Sequence, residues 1–143
     1  KAKEWLSITI NSFLSKDYTK ISIDDNIALE NIAAYIDDHY ATSISQKTLE
    51  KIAMMSGTKL KKLFKQKYQF TITEYTHRRR MNMAEILLLN SSLKIQDIAE
   101  AVGYSSHSKF SACFKRYKGI YPKDIKKYAS RENQLSNRVC TTK

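Results

Sequence analysis

Two short runs of this chain put hydroxyls and long cations on the outward side of a helix. With helical residues 100° apart, Leu60, Leu63, Phe64 and Lys67 share one side, and Thr58, Lys61, Lys62 and Lys65 lie opposite. In the second run Phe110, Cys113, Phe114 and Tyr117 share a face. Ser108, Ser111, Ala112 and Lys115 oppose it, with His107 and Lys109 on the flanks. Short hydroxyls can bond base edges in a major groove, and long cations can neutralise the phosphates on its rim. An ordinary solvated face has the same composition, so the repeat is what decides. Ile52-Ala53-Met54-Met55-Ser56 before Leu60…Leu63-Phe64-Lys65 recurs as Ala101-Val102-Gly103-Tyr104-Ser105 before Phe110…Cys113-Phe114-Lys115. Each copy reads as a short helix, a tight turn and a second helix with a basic outward side.

Other chemistries find little support. His39, His77 and His107 fall on different expected helices, and none forms a ligand-spaced cluster with Cys or carboxylates. No glycine-rich phosphate loop or nucleophile elbow is present. We therefore expect neither an enzyme nor a metal or cofactor. His77 with Arg78-Arg79-Arg80 reads as a solvated or phosphate-facing stripe. Cys113, on an apolar face, reads as a buried thiol, and with Cys140 it makes no disulfide framework, which suits a cytoplasmic protein.

The elements that position the two runs follow from periodicity in a chain of 143 residues, 42% hydrophobic, with three Gly and one Pro. Trp5, Leu6, Ile8, Ile10, Phe13 and Leu14 fit an amphipathic helix, and residues 1–23 read as a connector or the tail of a preceding domain. A helix with Asp24 and Asp25 in its first turn is expected to run to Tyr40. Short helices follow at Gln46–Ala53 and Thr58–Tyr68. Thr71-Ile72-Thr73-Glu74 is a capping box opening a longer helix to about Leu89. Ile95–Val102 and Ser106–Tyr117 come next, then a helix from Pro122 through Tyr128. Residues 130–143 read as a flexible tail. The expected fold is all-α, with two helix-turn-helix subdomains joined by a connecting helix over residues 24–129.

Charge is unevenly placed. Residues 1–43 carry four basic and seven acidic side chains, while the remainder carries twenty-one basic and seven acidic, a net of −3 against +14. That asymmetry points to a polyanionic partner for the last hundred or so residues. No apolar run is long enough to cross a bilayer, so no membrane is expected. The chain opens at Lys1 with no signal-peptide pattern and no initiator Met, and we expect a fragment whose effector, if any, binds a missing N-terminal domain.

These residues carry a family resemblance. Ile95-x-Asp97-Ile98-Ala99-x-x-Val102-Gly103-Tyr104-Ser105, Ser108-x-Phe110-Ser111-x-x-Phe114-Lys115 and Tyr117-x-Gly119-x-x-Pro122 resemble the DNA-binding domain of AraC/XylS-type transcription regulators. The first unit is in register through Met55-Ser56, Leu60, Phe64-Lys65, Arg80-Met81 and Leu87-Leu88. Thr58-Lys59-Leu60-Lys61 and the helical run ahead of the domain are similar to the branch that includes siderophore-responsive regulators.

The resemblance implies a homeodomain-like double helix-turn-helix. It implies base contacts from Thr58, Lys61 and Lys62 and from His107, Ser108, Lys109 and Ser111. Lys59, Lys65, Lys115 and Arg116 are the expected phosphate contacts. Ala112 stands where relatives often carry Arg, Glu50 where a small residue is usual, and Met54 where Gly is usual. The expected function is a sequence-specific transcription factor, an activator, that binds promoter DNA in two successive major grooves and contacts RNA polymerase. The alternatives are a non-specific nucleic-acid binder and a basic adaptor docking on an acidic protein surface.

Overall fold

The computed structural model describes residues 20–139, so the expected N-terminal amphipathic helix and Cys140 lie outside the described residues. Seven helices and no strands make up the described residues: α1 (Ile23–His39), α2 (Gln46–Ala53), α3 (Gly57–Tyr68), α4 (Ile72–Asn90), α5 (Ile95–Ala101), α6 (His107–Lys118) and α7 (Pro122–Val139). Their starts follow from hydroxyl caps. Ser22, Ser45, Ser56, Thr71 and Ser106 each accept a backbone N–H from the first turn of the helix that follows. Such a bond satisfies a donor that has no partner within the helix. At Thr71 the box is complete, since Glu74 accepts the Thr71 N–H at 2.8 Å. That bond, with the Thr71 hydroxyl, holds the Glu74 carboxyl below its usual range.

Helix α1 carries Asp24 and Asp25 in its first turn as expected, with Ser22 as the cap, and most other ends fall within a residue of expectation. Helix α7 does not stop at Tyr128 but continues to Val139 through the segment read as a tail. The segment Arg131–Asn137 is exposed throughout. Its length therefore gave no apolar stripe to read.

Two cores share α4. The first gathers Leu29, Ile32 and Ile36 of α1, Leu49 and Ala53 of α2, and Leu60, Leu63 and Phe64 of α3, with Ile72 and Tyr75 of α4 packed against it. The second gathers Met81, Ala84 and Leu88 of α4, Ile98 and Ala99 of α5, Val102, Phe110 and Phe114, and Ile125 of α7. Each large side chain fully buried here contributes about 1.5–3 kcal/mol, and both turn-following helices are held by several of them. Of the inner faces read from sequence, Leu60, Leu63, Phe64, Phe110 and Phe114 are buried and Lys67, Cys113 and Tyr117 half-buried, while the opposite faces are exposed except at Ser111.

Candidate nucleic-acid interface

The first turn runs from α2 to α3 through Met54, whose backbone is left-handed at φ 51° and ψ 38°. The resemblance leads to an expectation of Gly here, and the geometry gives the reason, because a side chain in this conformation is strained. The second turn reaches the same half of φ space through Gly103 at φ 94°. Glu50, at a position usually small, accepts a bond from Gln46 Nε2 at 2.7 Å. The pair lies over Gly57, where an added Cβ would sit 2.3 Å from Glu50 Oε1. A missing side chain on α3 thus makes room for a large one on α2.

On α3, Thr58, Lys61, Lys62 and Lys65 are exposed on one side, as the wheel predicts. Lys59 is different. Its ammonium pairs with Asp25 of α1 at 3.1 Å, a contact that, first among its causes, lowers the Asp25 pKa. Lys67 is likewise tied to Glu30 at 3.0 Å. Helix α1 therefore brings its acids to the flank of α3, and Lys59 meets a carboxylate before it meets any phosphate.

On α6, His107, Ser108, Lys109, Ala112, Lys115 and Arg116 are exposed. Ser111 is half-buried, at the edge of a shallow apolar pocket that also touches His107, Ile95, Tyr121 and Pro122. Lys115 donates to the Gly119 carbonyl at 2.7 Å and lies 5.1 Å from the Tyr121 ring, so it is drawn toward the start of α7. The Lys123 ammonium lies 5.9 Å from the centre of the same ring. Tyr121 and Lys123 were not singled out from sequence; a Lys directly after an N-terminal Pro was the available signal. Lys115, Arg116 and Lys118 in the last turn also complement the helix dipole.

The His77–Arg80 run is only partly solvated: Arg78 is exposed, while His77, Arg79 and Arg80 are half-buried with partners of their own. His77 Nδ1 lies 2.7 Å from the Tyr104 hydroxyl, which itself donates to Cys113 Sγ at 3.2 Å. Burial, then Arg80 and Arg116, lower the His77 pKa. Burial, then the bond to Cys113, raises that of Tyr104. Arg78 stacks on Phe70 with its guanidinium carbon 4.1 Å from the ring centre, and Arg79 pairs with Asp37 at 3.3 Å. Arg80 turns inward to main-chain carbonyls. Cys113 is half-buried rather than buried. Among the described residues no group of three or more His, Cys, Asp or Glu could hold a metal, and no helix is long and apolar enough to cross a membrane.

Two short-helix, turn, long-helix units, each with a capped second helix and a polar outer face, sharing one connecting helix, define a double helix-turn-helix module. Comparison with known proteins gives the same class. A family described as a helix-turn-helix domain matches residues 49–128. The probable transcriptional regulator LumQ of Photobacterium leiognathi is 28% identical over 111 residues, covering 78% of this chain and 44% of that protein. The transcriptional activator RhaS of Escherichia coli is 27% identical over 126 residues, covering 87% of this chain and 45% of that protein. The chain thus spans under half the length of these curated relatives. The DNA-binding domain of AdpA, solved with a target DNA, has the same fold, with a TM-score of 0.68, 22% identity, and coverage of 75% of this chain and 97% of that one.

The chain belongs to this helix-turn-helix family, the DNA-binding domain of AraC-type transcription regulators. The family binds DNA rather than catalysing a reaction.

Proposed function

We propose that the chain reads a bipartite site in double-stranded promoter DNA by laying α3 and α6 into successive major grooves, and that it serves transcription activation in the cytoplasm. The observation that carries this reading is the pair of exposed, hydroxyl- and cation-bearing faces on helices rooted in two cores that share α4. At about 1.5 Å per residue α4 spans nearly 30 Å, a length that suits recognition helices about 34 Å apart, one turn of B-DNA. Thr58, Lys61 and Lys62 meet bases in one groove, and His107, Ser108, Lys109 and Ser111 in the other. Lys65, Lys115 and Arg116 take phosphates, joined by Lys123, while Lys59 divides its charge with Asp25.

With Ala112 in place of a long donor, few direct guanine contacts are available, and the shape of the DNA carries part of the specificity. Contact with RNA polymerase and an effector bound elsewhere in a longer protein complete the reading. Thr58-Lys59-Leu60-Lys61, with the run ahead of the domain, resembles the branch that includes siderophore-responsive regulators.

Selection of random duplexes at about physiological salt, with sequencing of the bound pool, tests the proposal. We expect two half-sites about 10 base pairs apart. With about six phosphates engaged, log K should fall against log[salt] at a slope of about −5. Enrichment without a motif, or a slope near −1, would sink it in favour of a non-specific binder or a basic adaptor for an acidic protein surface.

A further inference from the structure

The loop between α1 and α2 belongs to the first lobe by sequence, yet it is seated on the second. Tyr40, at the end of α1, packs against the second core. Ala41 lies so close to the second turn that a Cβ on Gly103 would come within 2.6 Å of the Ala41 carbonyl oxygen and 3.0 Å of its carbon. These are backbone atoms, which have no rotamer to move aside. Gly103 is therefore required twice, for its positive φ and for its missing side chain.

Arg80 of α4 closes the contact. Its Nε donates to the Tyr40 carbonyl at 2.5 Å and its Nη2 to the Thr42 carbonyl at 3.1 Å, both in the α1–α2 loop. Its Nη1 donates to the carbonyl of Gly103 at 3.4 Å, in the turn of the second unit. Its guanidinium carbon also lies 5.5 Å from the Tyr104 ring. A planar fork of five donors can hold three carbonyls in fixed relation, which a single ammonium on a flexible stem cannot. The Tyr40 carbonyl belongs to the end of α1, where helix carbonyls lack internal partners.

We propose that Arg80, with the strap Tyr40-Ala41-Thr42 and the bare turn at Gly103, is a positioning clasp that fixes the separation of the two recognition helices and so sets the half-site spacing the protein accepts. Arg80 touches no base in this reading; it acts through the angle between the lobes. One base pair shifts a half-site by about 3.4 Å along the duplex and by about 35° around it, given 10–10.5 base pairs per turn. Hydrogen bonds fail over much smaller displacements, so an intact clasp discriminates a one-base-pair change and an open one does not. The strap and α1 lie before residue 49, where the family match begins. The spacing is thus governed partly by residues outside the matched region.

The inference rests on the two-groove reading above, and its test separates the two. Affinity is measured for duplexes carrying the selected bipartite site, for versions with the half-sites one base pair closer and one farther, and for each half-site alone. The parent should prefer its own spacing by at least about tenfold, and Arg80→Gln should reduce this to about threefold or less while leaving each isolated half-site within about twofold. Arg80→Lys keeps the charge and a single bond, and should behave alike where Arg80→Gln folds poorly by thermal melt. Spin labels on unnatural amino acids at Lys61 and Lys109 give the lobe separation without DNA, narrow in the parent and broader in both variants. Unchanged spacing preference in a folded variant, an equal loss on single half-sites, or an unchanged distance distribution each overturns the clasp. A parent that shows no spacing preference overturns the two-groove reading instead, and the label distances then decide the clasp by themselves.

Discussion

In the first unit the turn passes through Met54 at φ 51°, and in the second through Gly103 at φ 94°. A left-handed L-residue costs about 1–2 kcal/mol, a cost glycine does not carry. The Met54 side chain is 92% exposed and packs on nothing that would offset it. The units also differ in what steadies them. The first leans on α1 through Lys59–Asp25, Lys67–Glu30 and the Tyr68 hydroxyl donating to the Leu29 carbonyl at 3.3 Å. The second is knitted across its own elements by His77, Tyr104 and Cys113 and by the ring contact of Phe110 with Phe114 at 5.8 Å. A repeated motif therefore keeps its outer face while its supports diverge. The first unit is completed by a helix beyond the matched family region, and the second is held mainly by its own elements, with Tyr40 and Ala41 resting on it.

The largest test of that contrast is in the cores. Phe114→Ala should cost about 3–5 kcal/mol of stability and Leu29→Ala about 2–5 kcal/mol, read by urea denaturation. A Leu29→Ala loss below about 1 kcal/mol would mean that the first unit does not need α1. Next comes the reading face. Lys61→Ala should weaken cognate DNA by about 1–3 kcal/mol and relax one base position, with little change in scrambled DNA. Equal weakening of both by titration would reassign Lys61 to phosphate. A smaller effect, of opposite sign, is expected at the strained turn. Met54→Gly should stabilise the protein by about 0.5–1 kcal/mol, the relief of the left-handed strain less the extra entropy of glycine. A lowered urea midpoint would show that Met54 is held by something its exposure does not reveal.

The smallest effect is acid sensitivity in the second unit. Burial, with help from Arg80 and Arg116, places the folded pKa of His77 below its ordinary 6.5. The unfolded chain therefore binds the proton first. Stability from this group is full above the unfolded value and is lost as pH falls through the folded one. Comparing urea midpoints at about pH 7.5 and about pH 5.5, His77→Gln should flatten part of the parent's decline. An identical decline in the variant would remove His77 as its source.

Much of the fold was legible because a 3.6-residue period marks which face is buried and hydroxyls mark where helices begin. Leu60, Leu63 and Phe64, and Phe110 and Phe114, are buried as that period requires. Period does not say what a face meets. Arg78, Arg79 and Arg80 look alike in sequence, yet one stacks on a ring, one pairs with an acid and one grips carbonyls of a distant loop. Lys59 looked like its neighbours until Asp25, far off in sequence, was brought beside it. The outward Lys61 and Lys62 of α3 were readable because they are exposed, whereas the partners of Lys59 and Arg80 depend on tertiary approach.

Helix α4 gives Ile72 and Tyr75 to one core and Met81, Ala84 and Leu88 to the other along a single unbroken rod. The helix packs mainly against α5, α6 and α7 and more lightly against α1 and α3, so opening the second lobe strips most of its partners, and helices in proteins owe most of their stability to such packing. Cooperativity is thus built into the connector. Loss of the second core is therefore expected to loosen the first unit more than loss of the first core loosens the second.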